Sequence, residues 1–357
     1  MLRSKRQPTA GRASADPVGT PPRAGAPATD SMATDAPTAG APIGDVPAIR
    51  ATGLHKSYPG VAAVRGIDVT IAQGETFGFL GPNGAGKTTT IAMLCTLTRP
   101  TAGRIEIAGH DTRTAPGLVR RSIGLVFQES TLDGDLTAAE NLRFHADLYA
   151  MPRAELAARV DAMLDLTGLT ASRDRLVRTF SGGMRRRLEI ARGVLHRPRV
   201  LFLDEPTASL DPQSRALLWD HLEDVRDREG TTLFLTTHYL EEAERCNRIA
   251  IIDDGRIIAE GSPAQLKSVL GADRVDLRTG DDEKAAATLL DRFGIEAVVG
   301  PHGLRVHTED GALAVPRLCA GLDVPVYEVT VTRPSLDDVF LHHTGHRIRD
   351  ESKGGAS

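Results

Sequence analysis

Short apolar runs alternate with amphipathic stretches along most of this chain. From residue 48 to residue 271, β-branched runs of strand length alternate with helical patterns, which predicts an α/β domain that we call the main domain. We predict its strands at 48–54, 63–71, 76–80, 123–127, 200–203, 232–236, 249–252 and 256–260. We predict its helices at 87–97, 137–149, 153–167, 182–195, 212–228 and 240–246.

The pattern after the main domain predicts a smaller unit, the C-terminal domain, over residues 272–345. Its predicted strands are 274–277, 295–299, 303–307 and 325–332, and its predicted helices are 282–293, 312–322 and 335–341, which makes it an α+β domain. Residues 1–47 are rich in Pro, Ala and Gly and poor in large apolar side chains, so we expect them to be disordered. Residues 346–357 are expected to form a flexible tail.

The amino-acid composition argues against a nucleic-acid-binding protein and against a membrane-spanning one. The net charge of −4 gives no support for a nucleic-acid partner, which would favour a basic surplus. No apolar run approaches the ~18 residues that span a bilayer, so we expect the chain not to cross a membrane by itself. Three widely spaced cysteines without a CxxC pair fit a reducing compartment and buried apolar positions, and they are Cys95, Cys246 and Cys319.

The segment GPNGAGKT at residues 81–88 matches the phosphate-binding pattern GxxxxGK[ST] at every fixed position. Its glycines let the backbone turn tightly so that N–H groups face a polyphosphate, and the helix that follows adds its positive end. We expect Lys87 to reach the β- and γ-phosphates and the Thr88 hydroxyl to bind Mg²⁺. A chance glycine-rich turn is the alternative, and the preceding strand and following helix argue against it. The predicted nucleotide-binding residues here are Gly81, Pro82, Asn83, Gly84, Ala85, Gly86, Lys87, Thr88 and Thr89.

An apolar strand that ends in two carboxylates, VLFLDE at residues 200–205, supplies the acidic partner that such a loop needs. Asp204 is predicted to hold Mg²⁺, often through water. Glu205 is predicted to polarise the water that attacks the γ-phosphate. Surface acids at a strand end are the alternative, and the strongly apolar run argues against it.

A second phosphate-binding device lies between these two motifs. In FSGGM at residues 180–184, Ser181 is a candidate N-cap, and Gly182 and Gly183 open a helix whose N–H groups can face a phosphate. One nucleotide does not easily need two such devices from one domain. We therefore expect a second copy of the chain, whose Ser-Gly-Gly helix closes over the γ-phosphate of the first. The arginines that follow, within residues 184–187, are expected to flank the nucleotide.

The order and spacing of these motifs over residues 48–270 resemble the nucleotide-binding domain of ABC transporters. Residues 180–184 resemble the family's signature sequence, which usually has Leu and Gln at its ends. The resemblance implies a P-loop NTPase cassette with a RecA-like core, an antiparallel β subdomain and a helical subdomain, here followed by the α+β C-terminal domain. It also implies that the chain binds ATP and Mg²⁺ and hydrolyses ATP.

Further site residues follow from the resemblance one position at a time. Gln128 matches the Q-loop glutamine, which senses Mg²⁺ and the attacking water and whose loop touches the membrane partner. Residues 209–211 match the D-loop at the dimer interface and include Asp211. His238 matches the switch histidine that contacts the γ-phosphate, and Tyr58 matches the aromatic residue that stacks on adenine.

The end of the chain resembles one branch of the family. PSLDDVF at residues 334–340, followed by Thr344 and Gly345, resembles ATPases of the daunorubicin/doxorubicin-resistance type. That resemblance implies a homodimer that is bound at the cytoplasmic face of the cell membrane. The homodimer would drive export of a drug, antibiotic or similar lipophilic compound through a separate multi-span permease.

Two alternatives to a drug exporter remain. One is the motor of an importer or of a lipid or polysaccharide exporter, because the nucleotide-binding motifs do not report the transported compound. The other is an ABC ATPase without a transport role. The single P-loop and the separation of Lys87 and Ser181 by 94 positions disfavour the two-cassette and coiled-coil forms of that class. For the C-terminal domain we expect a role in dimer stability or regulation. His342 and His343 are expected to be a surface pair rather than metal ligands.

Overall fold

The computed structural model describes residues 46–208, 210–271, 273–300 and 303–345. Nearly all of the tail predicted to be disordered, Ser209 of the predicted D-loop and the tail predicted after residue 345 lie outside the described residues.

A six-stranded sheet, with strand order β10-β9-β3-β8-β7-β6, forms the centre of the main domain. Its strands are β3 (Thr76–Leu80), β6 (Ile123–Val126), β7 (Val200–Asp204), β8 (Thr232–Thr237), β9 (Arg248–Asp253) and β10 (Arg256–Gly261). Five strands are parallel, and β10 is antiparallel at one edge. Every residue of β3, β7 and β8 is buried, as expected for strands covered on both faces. Parallel order brings the carboxyl ends of these strands to one edge, where ligands bind in such folds.

A second, antiparallel sheet has the order β2-β1-β4-β5. It consists of β1 (Ile49–Tyr58), β2 (Val61–Ile71), β4 (Ala102–Ile107) and β5 (His110–Asp111). Only the first two strands were predicted from the sequence. In β4 the alternation that buries Ile105 and Ile107 extends over only a few residues and includes Gly103, so its signal is weak.

The helices cover the central sheet and build a helical cluster beside it. They are α1 (Lys87–Leu94), α2 (Pro116–Ser122), α3 (Ala138–Leu148), α4 (Arg153–Leu166), α5 (Gly182–Val194), α6 (Pro212–Glu229), α7 (Leu240–Ala243) and α8 (Pro263–Ser268). Helix α1 ends three residues before the predicted end, because Thr96 adopts a left-handed conformation with φ of 61°. Helices α2 and α8 were not predicted. None of the helices in the described part of the chain is both long and apolar enough to cross a bilayer.

The C-terminal domain is a four-stranded antiparallel sheet of order β12-β13-β11-β14, with two helices packed against it. Its elements are β11 (Asp273–Thr279), α9 (Asp282–Phe293), β12 (Ala297–Gly300), β13 (Gly303–Thr308), α10 (Gly311–Gly321) and β14 (Val326–Thr332). Its own core includes Val275, Leu289, Leu304 and Leu318.

The last helix, α11 (Leu336–Thr344), does not join the core of the C-terminal domain. Its buried residues Leu336, Val339 and Phe340 belong to the hydrophobic cluster of the main domain, which also contains Leu266 of α8. The chain therefore returns to the main domain after the C-terminal sheet. The limits predicted for the domains remain predictions.

Candidate functional site

A cavity of about 520 Å³ lies at the carboxyl edge of the central sheet. The motifs that are distant in sequence meet here because β3, β7 and β8 all end at this edge. Several predicted site residues line the cavity: Asn83, Gly84, Gly86, Lys87, Thr88, Thr89, Gln128, Glu205 and His238. The remaining loop residues Gly81, Pro82 and Ala85 are buried and are not among the residues that line the cavity.

The glycines of the phosphate-binding loop are required by sterics. Gly86 has φ of 103°, and a Cβ atom there would lie 2.5 Å from the carbonyl oxygen of Ala63. A Cβ atom on Gly81 would lie 2.3 Å from the carbonyl oxygen of Ile252. Lys87 closes the loop, since its Nζ donates to the carbonyl oxygens of Gly81 at 2.8 Å and Pro82 at 3.0 Å.

Asp204 and Thr88 bring a carboxylate and a hydroxyl together at the end of β7. The two oxygens, Oδ1 and Oγ1, are 3.4 Å apart, and Asp204 is only 5% exposed. Hard oxygen ligands of this kind suit Mg²⁺. Thr236 donates its hydroxyl to the same Oδ1 at 2.6 Å and thereby orients the carboxylate. Thr236 was not predicted as a site residue, because β8 contains three threonines and the sequence pattern does not distinguish this one.

Glu205 adopts a left-handed backbone conformation with φ of 46°, which is unusual for a residue with a side chain. Its Oε1 lies 3.3 Å from Nδ1 of His238 and 3.5 Å from Nζ of Lys87. The contact with His238 and the charge of Lys87 lower the pKa of the Glu205 carboxyl, although burial acts in the opposite direction. An ionised carboxylate at this position can accept a proton from water.

Lys87 is 5% exposed, and burial lowers its pKa against the opposing attraction of Glu205 and Asp204. The Lys87 ammonium and the Glu205 carboxylate therefore each stabilise the charged form of the other. An ammonium, a carboxylate, a hydroxyl and an imidazole line one cavity, and the Asp204 carboxylate lies beside the hydroxyl, an arrangement that suits the transfer of a phosphoryl group to water.

Other predicted site residues lie away from this cavity. Ser181 caps α5 by accepting from the N–H of Met184 at 3.3 Å, and Ser181 and Gly182 are exposed. A Cβ atom on Gly183 would lie 3.0 Å from Oγ of Ser214, so the starts of α5 and α6 are adjacent. Asp211 is the exposed N-cap of α6.

Tyr58, at the end of β1, is not among the residues that line the cavity. It is 45% exposed, and Nζ of Lys56 lies 4.9 Å from its ring centroid. The Lys56 ammonium lies over the ring, and part of the side chain remains open to solvent.

The prediction that the arginines of residues 184–187 flank the nucleotide was wrong for Arg186. Its side chain is 7% exposed and donates to main-chain carbonyls behind the cavity. Arg185 and Arg187 donate to the carbonyl oxygens of Phe180 and Thr167. A run of basic residues does not reveal which member turns inward.

Comparison with known proteins places these motifs in a family. The sequence model described as "ABC transporter" matches residues 64–208. A daunorubicin/doxorubicin resistance ATP-binding protein, DrrA of Streptomyces peucetius, is 43% identical over 314 residues, which are 85% of this chain and 94% of that protein. A Nod factor export ATP-binding protein I of Ralstonia nicotianae is 39% identical over 316 residues, covering 86% of this chain and 97% of that protein.

Solved structures agree with the fold of the main domain. CbiO1 of Clostridium perfringens, described as part of an ABC transporter complex, superposes with a TM-score of 0.59 at 28% identity. The match covers 70% of this chain and 97% of that one. A dimeric cassette bound to ADP and phosphate, MJ0796, gives a TM-score of 0.55 at 27% identity and covers 60% of this chain and 98% of that one. The predicted cassette fold is thereby confirmed.

Proposed function

This chain belongs to the ATP-binding proteins of ABC transporters, and from that premise we propose that it is the ATP-hydrolysing subunit of an exporter for a drug, antibiotic or similar lipophilic compound. The observation that carries the ATPase part is that Lys87, Glu205 and His238 line one cavity, with Asp204 3.4 Å from Thr88 of the same lining. The exporter part is supported by the identity of 41–43% to daunorubicin-resistance ATP-binding proteins over most of their length.

We assign the binding of the phosphates and of Mg²⁺ to separate groups of residues. The loop of residues 81–89 and the ammonium of Lys87 bind the phosphates of ATP. Thr88 and Asp204, with Gln128 near them, would hold Mg²⁺, which neutralises charge on the phosphate oxygens when it is bound.

Glu205 would accept a proton from the attacking water, since its carboxyl is held in the ionised form. His238 would orient that carboxylate from 3.3 Å and contact the γ-phosphate. Tyr58 would stack on the adenine with its exposed ring.

We propose that two copies share the nucleotides. Ser181 and Gly182 present the start of α5 to solvent, away from the cavity of their own chain. The N–H groups at such a helix start bind phosphate well, so a second copy can bring its Ser181 helix to the γ-phosphate held at Lys87. Asp211 lies beside this surface and would face the partner copy.

A separate membrane protein would be driven by the conformational change that accompanies ATP hydrolysis, and the two proteins would meet at the cytoplasmic face of the membrane. Phe144 and Leu148, four residues apart on α3, are 62% and 67% exposed, and Phe127, just before Gln128, is 39% exposed. Large apolar side chains exposed together mark a protein contact surface. We propose that Phe144, Leu148 and the loop after Gln128 contact the permease.

Export of another compound class is a second candidate. Nod factor export ATP-binding proteins are 36–39% identical to this chain over most of its length. That similarity approaches the 41–43% identity to the drug-resistance proteins, which makes export of a Nod factor-like compound the second candidate.

Affinity purification from native membranes in mild detergent tests this function. We expect a multi-span membrane protein to co-purify with the tagged wild-type chain. The double variant Phe144→Asp, Leu148→Asp should lose it, whereas the control Leu313→Asp, on the 74% exposed position of α10, should keep it. Cells that hold both proteins should accumulate less daunorubicin with wild type than with Glu205→Gln. Ribosomal or DNA-associated proteins in place of a membrane protein would overturn the transport function.

A further inference from the structure

Arg186, in the second turn of α5, uses every hydrogen-bond donor of its buried guanidinium group. Nε donates to the carbonyl oxygen of Pro206 at 2.6 Å, and Nη2 donates to those of Asp204 at 3.1 Å and Glu205 at 3.2 Å. Nη1 donates to the carbonyl oxygen of Phe127 and to the carboxylate of Glu189 at 2.9 Å. One side chain on the Ser-Gly-Gly helix thus contacts two of the predicted catalytic segments.

Three of these acceptors are consecutive carbonyls, from residues 204 to 206, around the strained residue Glu205. The N–H of Glu205 donates to Oγ1 of Thr236 at 3.0 Å, so the main chain is held on both sides of the residue. A left-handed conformation at a residue with a side chain persists only where surrounding contacts hold it. Arg186 provides the contacts on the carbonyl side.

The other acceptors connect α5 to the loop that carries Gln128. Phe127 directly precedes Gln128, and Glu189 accepts from the N–H of Thr131 at 3.0 Å. Arg192, one further turn along α5, donates to the carbonyl oxygen of Thr131 at 3.0 Å. Arg186 and Glu189 therefore hold the start and end of this loop against the same helix that holds Glu205.

We propose that Arg186 is a positioning residue for ATP hydrolysis. It fixes the backbone of Glu205 and, with Glu189, the loop of Gln128 relative to the Ser181 helix. This inference rests on the proposed function. If the Ser181 helix binds the nucleotide of a second copy, Arg186 connects that helix to Glu205 and to the loop of Gln128, which would contact the permease. Lysine cannot replace this arginine, because an ammonium has three donors at one point rather than five in a planar fork.

The test compares turnover with nucleotide affinity in three variants. Arg186→Gln with Glu189→Gln removes both charges together, so that no buried charge is left unpaired. Arg186→Lys keeps the positive charge on a shorter side chain with fewer hydrogen-bond donors. Arg159→Gln with Glu229→Gln is the matched control, since Arg159 is also a buried arginine that pairs with a carboxylate and donates to main-chain carbonyls, here those of Val194 and Leu195. We expect kcat to fall about 100-fold in the double variant and less in Arg186→Lys, within the range typical of a misplaced general base. KM and the dissociation constant for ATP should stay within about twofold, and the Arg159→Gln, Glu229→Gln control should turn over ATP as wild type does.

The Glu205→Gln background separates positioning from a purely structural role. If Arg186 acts mainly through Glu205, adding the double substitution to Glu205→Gln lowers the residual single-turnover rate by a much smaller factor than it lowers the wild-type rate, and the remaining loss reflects the loop of Gln128. A wild-type kcat in the double variant or in Arg186→Lys would overturn the proposal. So would an equal fractional loss with and without Glu205, or a loss explained by unfolding in a thermal melt at the assay temperature. An inactive wild-type protein would instead contradict the proposed ATPase function, so the two failures are distinguishable.

Discussion

The ammonium of Lys87 lies 3.5 Å from Oε1 of Glu205, which pairs the lysine of the phosphate-binding loop with the predicted catalytic base. The same ammonium also donates to the carbonyl oxygens of Gly81 and Pro82. A polyphosphate in the loop would compete for this ammonium. We infer that ATP binding moves the Lys87 ammonium from Glu205 toward the phosphates. The Glu205 carboxylate would then remain in contact with His238 and with water.

Lys87→Ala should weaken ATP binding at least tenfold, since a hydrogen bond to a charged group is worth about 1.5–3 kcal/mol. Isothermal titration with ATP measures the effect. Lys267→Ala is the control, because Lys267 pairs with Glu244 on the surface of α8 and should leave the affinity unchanged. Equal affinities for wild type and Lys87→Ala would show that the loop does not hold the polyphosphate.

Tyr58→Ala should weaken ATP binding about tenfold, because stacking of a base on an aromatic ring contributes ~1–3 kcal/mol. Tyr58→Phe keeps the ring and should bind ATP as wild type does. Tyr327→Ala removes an exposed tyrosine of the C-terminal domain and serves as the control. Fluorescent ATP analogues report the affinities. If Tyr58→Ala bound as tightly as wild type, the adenine would not stack there.

The sequence predicts the central sheet and its motifs well for a physical reason. Strands buried on both faces, such as β7, are continuous apolar runs, and functional residues follow them at the carboxyl edge. The pattern does not say which of several cores an amphipathic helix will enter. Helix α11 was therefore assigned to the C-terminal domain, although Phe340 packs in the main domain.

Arg186 and Thr236 were not predicted because the sequence does not show in which direction a side chain points. Arg186 occurs in a run of arginines, and only the packing of α5 against the end of β7 turns it inward. Thr236 shares its strand with apolar residues, and its contact with Asp204 depends on the parallel register of β7 and β8. Neither relation has a spacing along the chain that sequence alone reveals.

Two histidines make stability depend on pH. His145 of α3 and His196 after α5 flank Tyr149, whose ring lies 3.8 Å from that of His196. Burial lowers the pKa of both histidines to about 4, with further lowering by Arg192 at His145 and by Arg159 at His196. In the unfolded chain each takes up a proton near pH 6.5. Unfolding therefore takes up protons between these values, and the free energy of unfolding should decrease as the pH falls from 6.5 toward 4.

Urea unfolding at several pH values checks this dependence. The double variant His145→Gln, His196→Gln should lose less stability over that window than wild type does. The exposed pair His342 and His343 of α11 provides a matched control when both are changed to glutamine. A pH dependence identical in wild type and the His145, His196 variant would contradict the assignment.

Phe340→Ala should destabilise the main domain by about 3–5 kcal/mol, because it empties a fully buried position next to α8. Leu341→Ala, at a neighbouring position that is 36% exposed, should cost much less. Urea unfolding followed by Trp219 fluorescence reports on α6 of the main domain. A transition of Trp219 that Phe340→Ala leaves unchanged would show that α11 contributes nothing to this core.

The mass of Glu205→Gln in solution with Mg-ATP tests most directly whether two copies close over shared nucleotides. Without the carboxylate that we propose accepts the proton, bound ATP should persist and hold the dimer together. Light scattering on the eluting protein should give about twice the monomer mass of 38.1 kDa with Mg-ATP and the monomer mass without nucleotide. A Glu205→Gln protein that binds ATP tightly and still elutes as a monomer would contradict the shared site formed by Lys87 and Ser181.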